Sequence, residues 1–393
     1  MITPLTPVSN DNTNPYFLRD DWHMLNNGSF GACPKPVFEV WQHWQRECER
    51  YPDDFVRERL TGLVNDARSK LAAYLHTTPD QMGFVTNATM GVNVVTHSLR
   101  SQLKPGDEVL TTNHEYGACN HAWQFMCSKT GASYVQHPIP VPLYSQQACV
   151  DALWAGVTPR TKIIYLSHTT SPTALTFPVK AICARARSEG ILTVIDGAHV
   201  PGQRDLDLED IGADFYTGNC HKWMCCPKGT AFVYARKAVQ HLIEPLIVGW
   251  KWLPGEVSDQ PMVDYIEQFG TRDMSGFLAV PAAIEYMRTH NWPAVRTRSF
   301  KMASETRARI EEMLDTESLY PCDEAWFSQM VAIHLPKHTD MKKLKQVLSE
   351  QHHIEIPVIE WNGVNILRLS VQEYTSQAEL DDFVTAVQST VMP

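Results

Sequence analysis

Between residues 83 and 235 the chain alternates short, continuously apolar runs with polar segments of helical period. The apolar runs fall at 83–86, 108–112, 133–136, 162–167, 192–195, 213–216 and 229–234. A strand that is apolar on both faces is buried on both faces, and helices between such strands imply a mostly parallel sheet covered on two sides. The pattern predicts an α/β fold. Ligands of such sheets sit beyond the carboxyl ends of the strands. Asn87, His114, His168, Asp196 and Asn219 all fall at or just past those ends.

After about Gly270 the pattern changes. Helical segments at 279–289 and 299–314 precede short strands at 330–334 and 364–370, and a last helix is expected over 377–392. This reads as a smaller α+β domain. Toward the start, a charged helix is expected over 38–59, with Phe38, Trp41 and Trp44 on one stripe. The opening residues, rich in Pro, Asn, Asp and Thr, predict an irregular arm. Three parts follow: an arm over 1–30 contributing to the small domain and the site, a large domain over 31–270 and a small domain over 271–393.

Composition narrows the function classes. The chain has 393 residues, 44% hydrophobic and 20% charged, enough for two domains with a large core. A net charge of -10 argues against the basic footprint of a nucleic-acid binder. No apolar stretch reaches membrane-spanning length, and the opening residues lack a basic region followed by an apolar one, so neither a membrane span nor a secretory signal is expected. Ten cysteines without a spaced framework read as reduced thiols in a cytoplasmic protein.

The chemistry centres on two residues. Asp196 ends one short apolar strand, and Lys222 follows the next, after the loop Thr217-Gly218-Asn219-Cys220-His221. A lysine after a strand is more often a surface cation, and a strand-end aspartate is often a helix cap. Together they match what pyridoxal 5'-phosphate (PLP) needs: a lysine for a Schiff base and a carboxylate that keeps the ring nitrogen protonated. A lysine in a dry pocket has a lowered pKa and can also move a proton at a substrate α-carbon. His199, in Asp196-Gly197-Ala198-His199, falls near the cofactor's phenolic oxygen on this reading, with a satisfied loop histidine as the competing one.

Two further strand ends fit the same cofactor. Thr86-Asn87-Ala88-Thr89-Met90-Gly91 opens a helix whose free amides can bind phosphate. Tyr116, in Asn113-His114-Glu115-Tyr116-Gly117, can stack on a pyridine ring, or sit in the core at a helix start. Cys220, His221, Cys225 and Cys226 were weighed as a zinc set. Adjacent Cys225-Cys226 lacks the spacing of structural zinc sites and no second half-site follows, so no metal is expected.

These segments, with Leu25-Asn26-Asn27-Gly28-Ser29-Phe30-Gly31, His168-Thr169-Thr170-Ser171-Pro172-Thr173 and Leu367-Arg368-Leu369-Ser370, resemble the class V aminotransferase family of fold-type I PLP enzymes. Within it the likeness is to the isopenicillin N epimerase-like branch, which includes hercynylcysteine sulfoxide lyases and related carbon–sulfur lyases. The resemblance implies a PLP-dependent transferase fold type I with a seven-stranded large-domain sheet, and a homodimer with shared active sites. It implies Lys222 as the Schiff-base lysine, Asp196 as the ring-nitrogen partner and Tyr116 as the stacking aromatic. Ala88, Thr89, Asn219 and His221 would surround the phosphate, with Gly270-Thr271 donated from the neighbouring subunit. Arg368 would grip the substrate α-carboxylate, in a pocket that Asn27 and Gly28 of the arm help to form.

Two departures from the family pattern matter. No cysteine lies in 351–358, where cysteine desulfurases carry a mobile-loop cysteine, and the nearest preceding one is Cys322; persulfide-forming activity is disfavoured. Asn219 stands where desulfurases place a serine, and Ser171 where many relatives have asparagine at the cofactor's phenolic oxygen. The expected activity is α-proton abstraction by the Schiff-base lysine from a small-molecule α-amino-acid substrate, epimerase-like, with carbon–sulfur β-elimination from a cysteine derivative as the alternative. Transamination would need a keto-acid partner. A PLP-fold protein that binds without catalysis is opposed by the joint presence of Lys222, Asp196 and Arg368.

Overall fold

The computed structural model describes residues 14–392. The first part of the expected arm, 1–13, and residue 393 lie outside the described residues. Among the described residues there are twelve strands: β1 (His23–Met24), β2 (Met82–Val85), β3 (Glu108–Thr112), β4 (Ser133–His137), β5 (Thr161–Ser167), β6 (Leu192–Asp196), β7 (Phe215–Asn219), β8 (Ala231–Ala235), β9 (Met330–Leu335), β10 (Ile354–Glu355), β11 (Val358–Trp361) and β12 (Val364–Ser370). Seven of them form one sheet in the order β2-β8-β7-β6-β5-β3-β4. Only β8 runs against its neighbours, pairing antiparallel with β2 and β7. The sheet is α/β and mostly parallel, as the apolar runs imply.

Alternate residues of each strand enter different cores. Ile163, Tyr165, Val194, Phe215 and Val233 face one layer, where they meet Val92 and Val95 of helix Ala88–Ser98 and Trp123 and Met126 of helix Gly117–Thr130. Ile164, Leu166, Ile195, Tyr216 and Phe232 face the other, with Leu71 of helix Leu60–Tyr74 and Ile182 and Ala186 of helix Val179–Ser188. A one-residue slip of β5 or β6 would exchange the two sets, so the register is strongly specified. That register fixes which strand-end side chains face the site.

A second sheet, β11-β12-β9, is antiparallel throughout, with helix Trp292–Leu314 against β9. The arm is stitched to it. His23 N donates to His353 O at 2.9 Å and Leu25 N to Glu355 O at 3.0 Å, and Ser370 N donates back to Leu25 O at 3.0 Å. Tyr16, buried, donates to Glu373 Oε2 at 2.7 Å, and Tyr286 donates to the same oxygen at 2.8 Å.

The expected helix over 38–59 is corrected. It runs over Lys35–Arg50 and stops at Tyr51, whose φ of -156° and ψ of 81° are not helical. The cause is Pro52, which disfavours the helical conformation in the residue before it and itself opens the next short helix. The chain then continues through a π-turn at Phe55–Arg59 into Leu60–Tyr74, a helix absent from the sequence reading. The two-residue strands β1 and β10 also had no sequence signal, because their pairing is purely tertiary.

Candidate active site

The carboxyl ends of β2, β3, β5, β6 and β7 open into one cavity of about 410 Å³. Its lining includes Ala88, Thr89, Tyr116, Ser171, Asp196, His199, Asn219, His221, Lys222 and Arg368, and Gly28 of the arm. Residues separated by up to 340 positions in sequence are thus assembled by strand order alone. Gly31 explains how the arm reaches so close. A Cβ there would meet the Lys222 carbonyl oxygen at 2.0 Å, so only glycine lets the arm lie over the lysine loop.

Lys222 Nζ lies 3.3 Å from His199 Nε2. Burial pushes the amine down to about 7, and the Arg368 guanidinium pushes the same way, while Asp196 opposes both. The amine can therefore be neutral near physiological pH, which a nucleophile or a proton acceptor requires. His199 is held well below the ordinary imidazole value by burial and by Lys222. It is neutral, with Nδ1 buried and unpartnered.

Asp196 is buried at the end of β6. Burial raises its carboxyl above the ordinary range, while the Ala198 amide, Lys222, Cys119 and Tyr165 favour the charged form. Ala198 N donates to Oδ1 at 3.0 Å; Oδ2 has only long contacts, Cys119 Sγ at 3.6 Å and Tyr165 OH at 3.4 Å. An acid held so weakly at Oδ2 suits a protonated ring nitrogen, a stronger donor than either. Tyr116, 48% exposed, begins helix Gly117–Thr130 at the cavity wall, where a planar ring can lie against it.

The opposite end has the character of an anion site. Helix Ala88–Ser98 starts there, capped by Asn87, whose Oδ1 accepts from Met90 N at 2.8 Å. Asn219 Oδ1 accepts from Ala88 N at 2.8 Å. This corrects the expectation for Ala88: its amide is already engaged, and Asn219 orders the helix start rather than leaving every amide free. Its own carboxamide nitrogen is the group left for a ligand. His221 Nδ1 lies 3.0 Å from Thr230 O, which assigns the proton to Nδ1. Burial and Lys222 lower this ring to about 4, and a bound dianion would reverse that shift.

Arg368 comes from β12, the middle strand of the second sheet, and is 4% exposed. Nη1 donates to Ser171 O at 2.7 Å and Ser171 Oγ at 3.0 Å; Nη2 donates to Ser29 Oγ at 2.9 Å. Burial lowers it to about 10, still fully cationic at neutral pH. Ser171 therefore holds Arg368, which accounts for a serine there in terms other than the phenolic oxygen.

Three expected residues are not in this cavity. Asn27 is fully buried behind the arm, with Oδ1 accepting from Tyr374 OH at 3.1 Å and Nδ2 unpartnered; it supports Gly28 and does not face the site. Gly270 and Thr271 line a separate cleft with Arg57, Asn65 and Trp250. Within one chain they are not part of the site. His114, buried, and His168, half-buried, also at strand ends, are structural groups, bonded to Thr173 and Ile139 and to Tyr216 respectively. Sequence reasoning missed Ser29, Cys119 and Lys228, all in the lining. Cys119 stands one helical turn after Tyr116, a spacing that could have revealed it; Lys228 gave no such signal. Among the described residues no three His, Cys, Asp or Glu side chains converge as a metal set, and Cys220, Cys225 and Cys226 are buried in the core.

Comparison with known proteins agrees with this geometry. The family model for aminotransferase class-V matches residues 39–383. The chain is 33% identical over 374 residues to the isopenicillin N epimerase of Amycolatopsis lactamdurans, covering 93% of this chain and 94% of that one. It is 28% identical over 363 residues to a probable chloroplastic L-cysteine desulfhydrase of Arabidopsis thaliana, covering 86% and 74%. Among solved structures, the cystine C–S lyase C-DES in complex with cysteine persulfide has a TM-score of 0.81 at 20% identity over 94% and 98% of the two chains. A cysteine desulfurase of Thermococcus onnurineus NA1 has a TM-score of 0.78 at 18% identity, over 94% of each. The chain belongs to the class V aminotransferase family and is a PLP-dependent enzyme.

Proposed function

We propose that this enzyme removes the α-proton of an amino acid and returns it as an epimerase does. The observation that carries the reading is Lys222: a half-buried amine 3.3 Å from His199, lowered to about 7, that lines one cavity with Asp196 and Arg368. Bound PLP supplies an electron sink for negative charge at the substrate α-carbon. The protein's residues supply the rest. Arg368 binds the α-carboxylate and so fixes which bond of the α-carbon faces Lys222. Lys222 Nζ takes the proton from one face as a general base, a role that a pKa near the working pH suits, and epimerisation follows when a proton returns on the opposite face. With PLP bound, Asp196 would hold the ring nitrogen, Tyr116 would lie against the ring, and Asn219, His221 and Thr89 would hold the phosphate, with His199 beside Lys222 near the phenolic oxygen. Similarity to isopenicillin N epimerases over nearly the whole chain supports the outcome.

Carbon–sulfur β-elimination from a cysteine derivative is the second reading. The cysteine desulfhydrase relatives favour it, and the same proton removal would begin it. A persulfide-carrying desulfurase is opposed: 351–358 holds no cysteine, and Cys322 does not line the cavity. The reading includes a homodimer in the cytoplasm. Trp250, 97% exposed, lines the cleft of Gly270 and Thr271 together with exposed Val56, an apolar face suited to a second copy. All ten cysteines are free thiols. Among the described residues no helix is long and apolar enough to cross a membrane.

Incubation of the holoenzyme in D2O with a panel of L-amino acids and cysteine derivatives separates the outcomes. Epimerisation gives α-deuterated substrate of mixed configuration; elimination gives pyruvate and a thiol. Neither product from any substrate would refute both readings.

A further inference from the structure

Glu115 is a second buried carboxyl behind Asp196, 7% exposed. It lies between the end of β3 and Tyr116. Thr112 Oγ1 donates to Oε1 at 2.6 Å; Ser167 N and Ser167 Oγ each donate to Oε2 at 2.7 Å. Ser167 is the register partner of Asp196 across β5 and β6, so the end of β5 stands between the two carboxyls, which follow β3 and end β6. The titratable groups around Glu115 are Asp196, Cys119, Tyr165 and Tyr134, from four different elements, and none is a base. Among the described residues it forms no ion pair. A purely structural tie between β3 and β5 needs the hydrogen bonds but not the charge, and burying an unpaired charge is costly. A charge at this place acts on Asp196.

We propose that Glu115 is a positioning residue that acts through Asp196, its negative charge holding the proton on the ring nitrogen of bound PLP and so setting the strength of the electron sink. The inference rests on the reading of Asp196 as the ring nitrogen's partner. Burial, aided by Asp196, pushes Glu115 up to about 7 while its three donors pull the other way. The charge is therefore present above neutral pH and withdrawn below it, which makes the sink weaker in mild acid. No atom is transferred from Glu115; the effect is that of a field.

Glu115→Gln tests this. The amide keeps an acceptor for Ser167 and removes the charge, while the Thr112 contact reverses, its hydroxyl accepting from the amide nitrogen. The readout is the 15N shift of ring-labelled PLP in the holoenzyme as a function of pH. In the variant the midpoint for loss of the ring-nitrogen proton should fall by about one pH unit, the size expected of one charge at partly screened range. The kcat for α-proton exchange should fall about tenfold with KM within about twofold, one pKa unit being one decade. Thr112→Val, which removes one donor to the carboxylate, should shift the same midpoint in the same direction by less, and serves if the glutamine variant folds poorly. Asp196→Asn separates the two levels of inference. If it moves the ring-nitrogen midpoint while both Glu115→Gln and Thr112→Val leave it unmoved, the role of Glu115 is overturned and the site stands. If Asp196→Asn leaves the midpoint unmoved, both fall.

Discussion

Replacing Lys222 by Met removes the amine beside His199 while keeping an unbranched side chain of similar length. The consequence can be worked for the cofactor-free protein. The folded amine titrates at about 7 and the ordinary value is 10.5. Between these pH values the unfolded chain carries a proton that the folded chain lacks, so unfolding becomes harder as pH rises through the window. The full interval corresponds to about 5 kcal/mol. Lys222 is half-buried and lines the cavity, so screening reduces this to about 2 kcal/mol. The assay is urea unfolding of cofactor-free wild type and Lys222→Met at pH 7 to 10.5. Tyrosine and cysteine titrations are common to both proteins and cancel in the difference. Wild type should gain about 2 kcal/mol relative to the variant across that range. Coincident pH profiles would show that Lys222 has an ordinary pKa, and would remove the observation on which the proposed base rests.

Arg368→Leu should lower kcat/KM for amino acids by about 10² to 10⁴, the loss of two charge-assisted hydrogen bonds, and spare bound cofactor; an unchanged kcat/KM would place the carboxylate elsewhere. Asn219→Asp keeps the acceptor for Ala88 N and sets a charge toward the anion end, so PLP affinity should fall by about 10- to 100-fold, measured by reconstitution. Affinity equal to wild type would exclude Asn219 from the phosphate site. Tyr16→Phe removes one of two phenol donors to Glu373 and should cost about 1 kcal/mol in urea unfolding, with the arm more readily cleaved by protease. No change in either would mean the arm is held by β1 alone.

Most of the large sheet was legible because its strands are buried on both faces and therefore apolar without interruption. Asp196, Asn219 and Lys222 were legible for a related reason: ligands of such sheets sit beyond the strand ends, although His114 and His168 at the same kind of end are structural. What was lost lies where the signal is tertiary. The arm reaches the site through Gly31 and a two-residue strand, which no periodicity reveals. Pro52 divided an expected helix because a single ring overrides a favourable stripe. Ala88 sits where the sequence placed it, yet its amide is spent on Asn219, a contact across 131 positions. Asn27 sits one residue before Gly28 and still does not line the cavity, because the turn closed by Ser29 N on Asn26 O buries it against Tyr374. Ser29 and Ser171 carry no signature of their own; both acquire meaning only from Arg368.

The central claim is that Lys222 is the lysine that holds PLP, and borohydride reduction of the purified yellow enzyme followed by peptide mapping tests it most directly. A pyridoxyl group on the peptide carrying Lys222, absent from Lys222→Met, is the predicted result. A label on Lys228, the other lysine of the cavity, or no covalent label after reconstitution with PLP, would contradict the account.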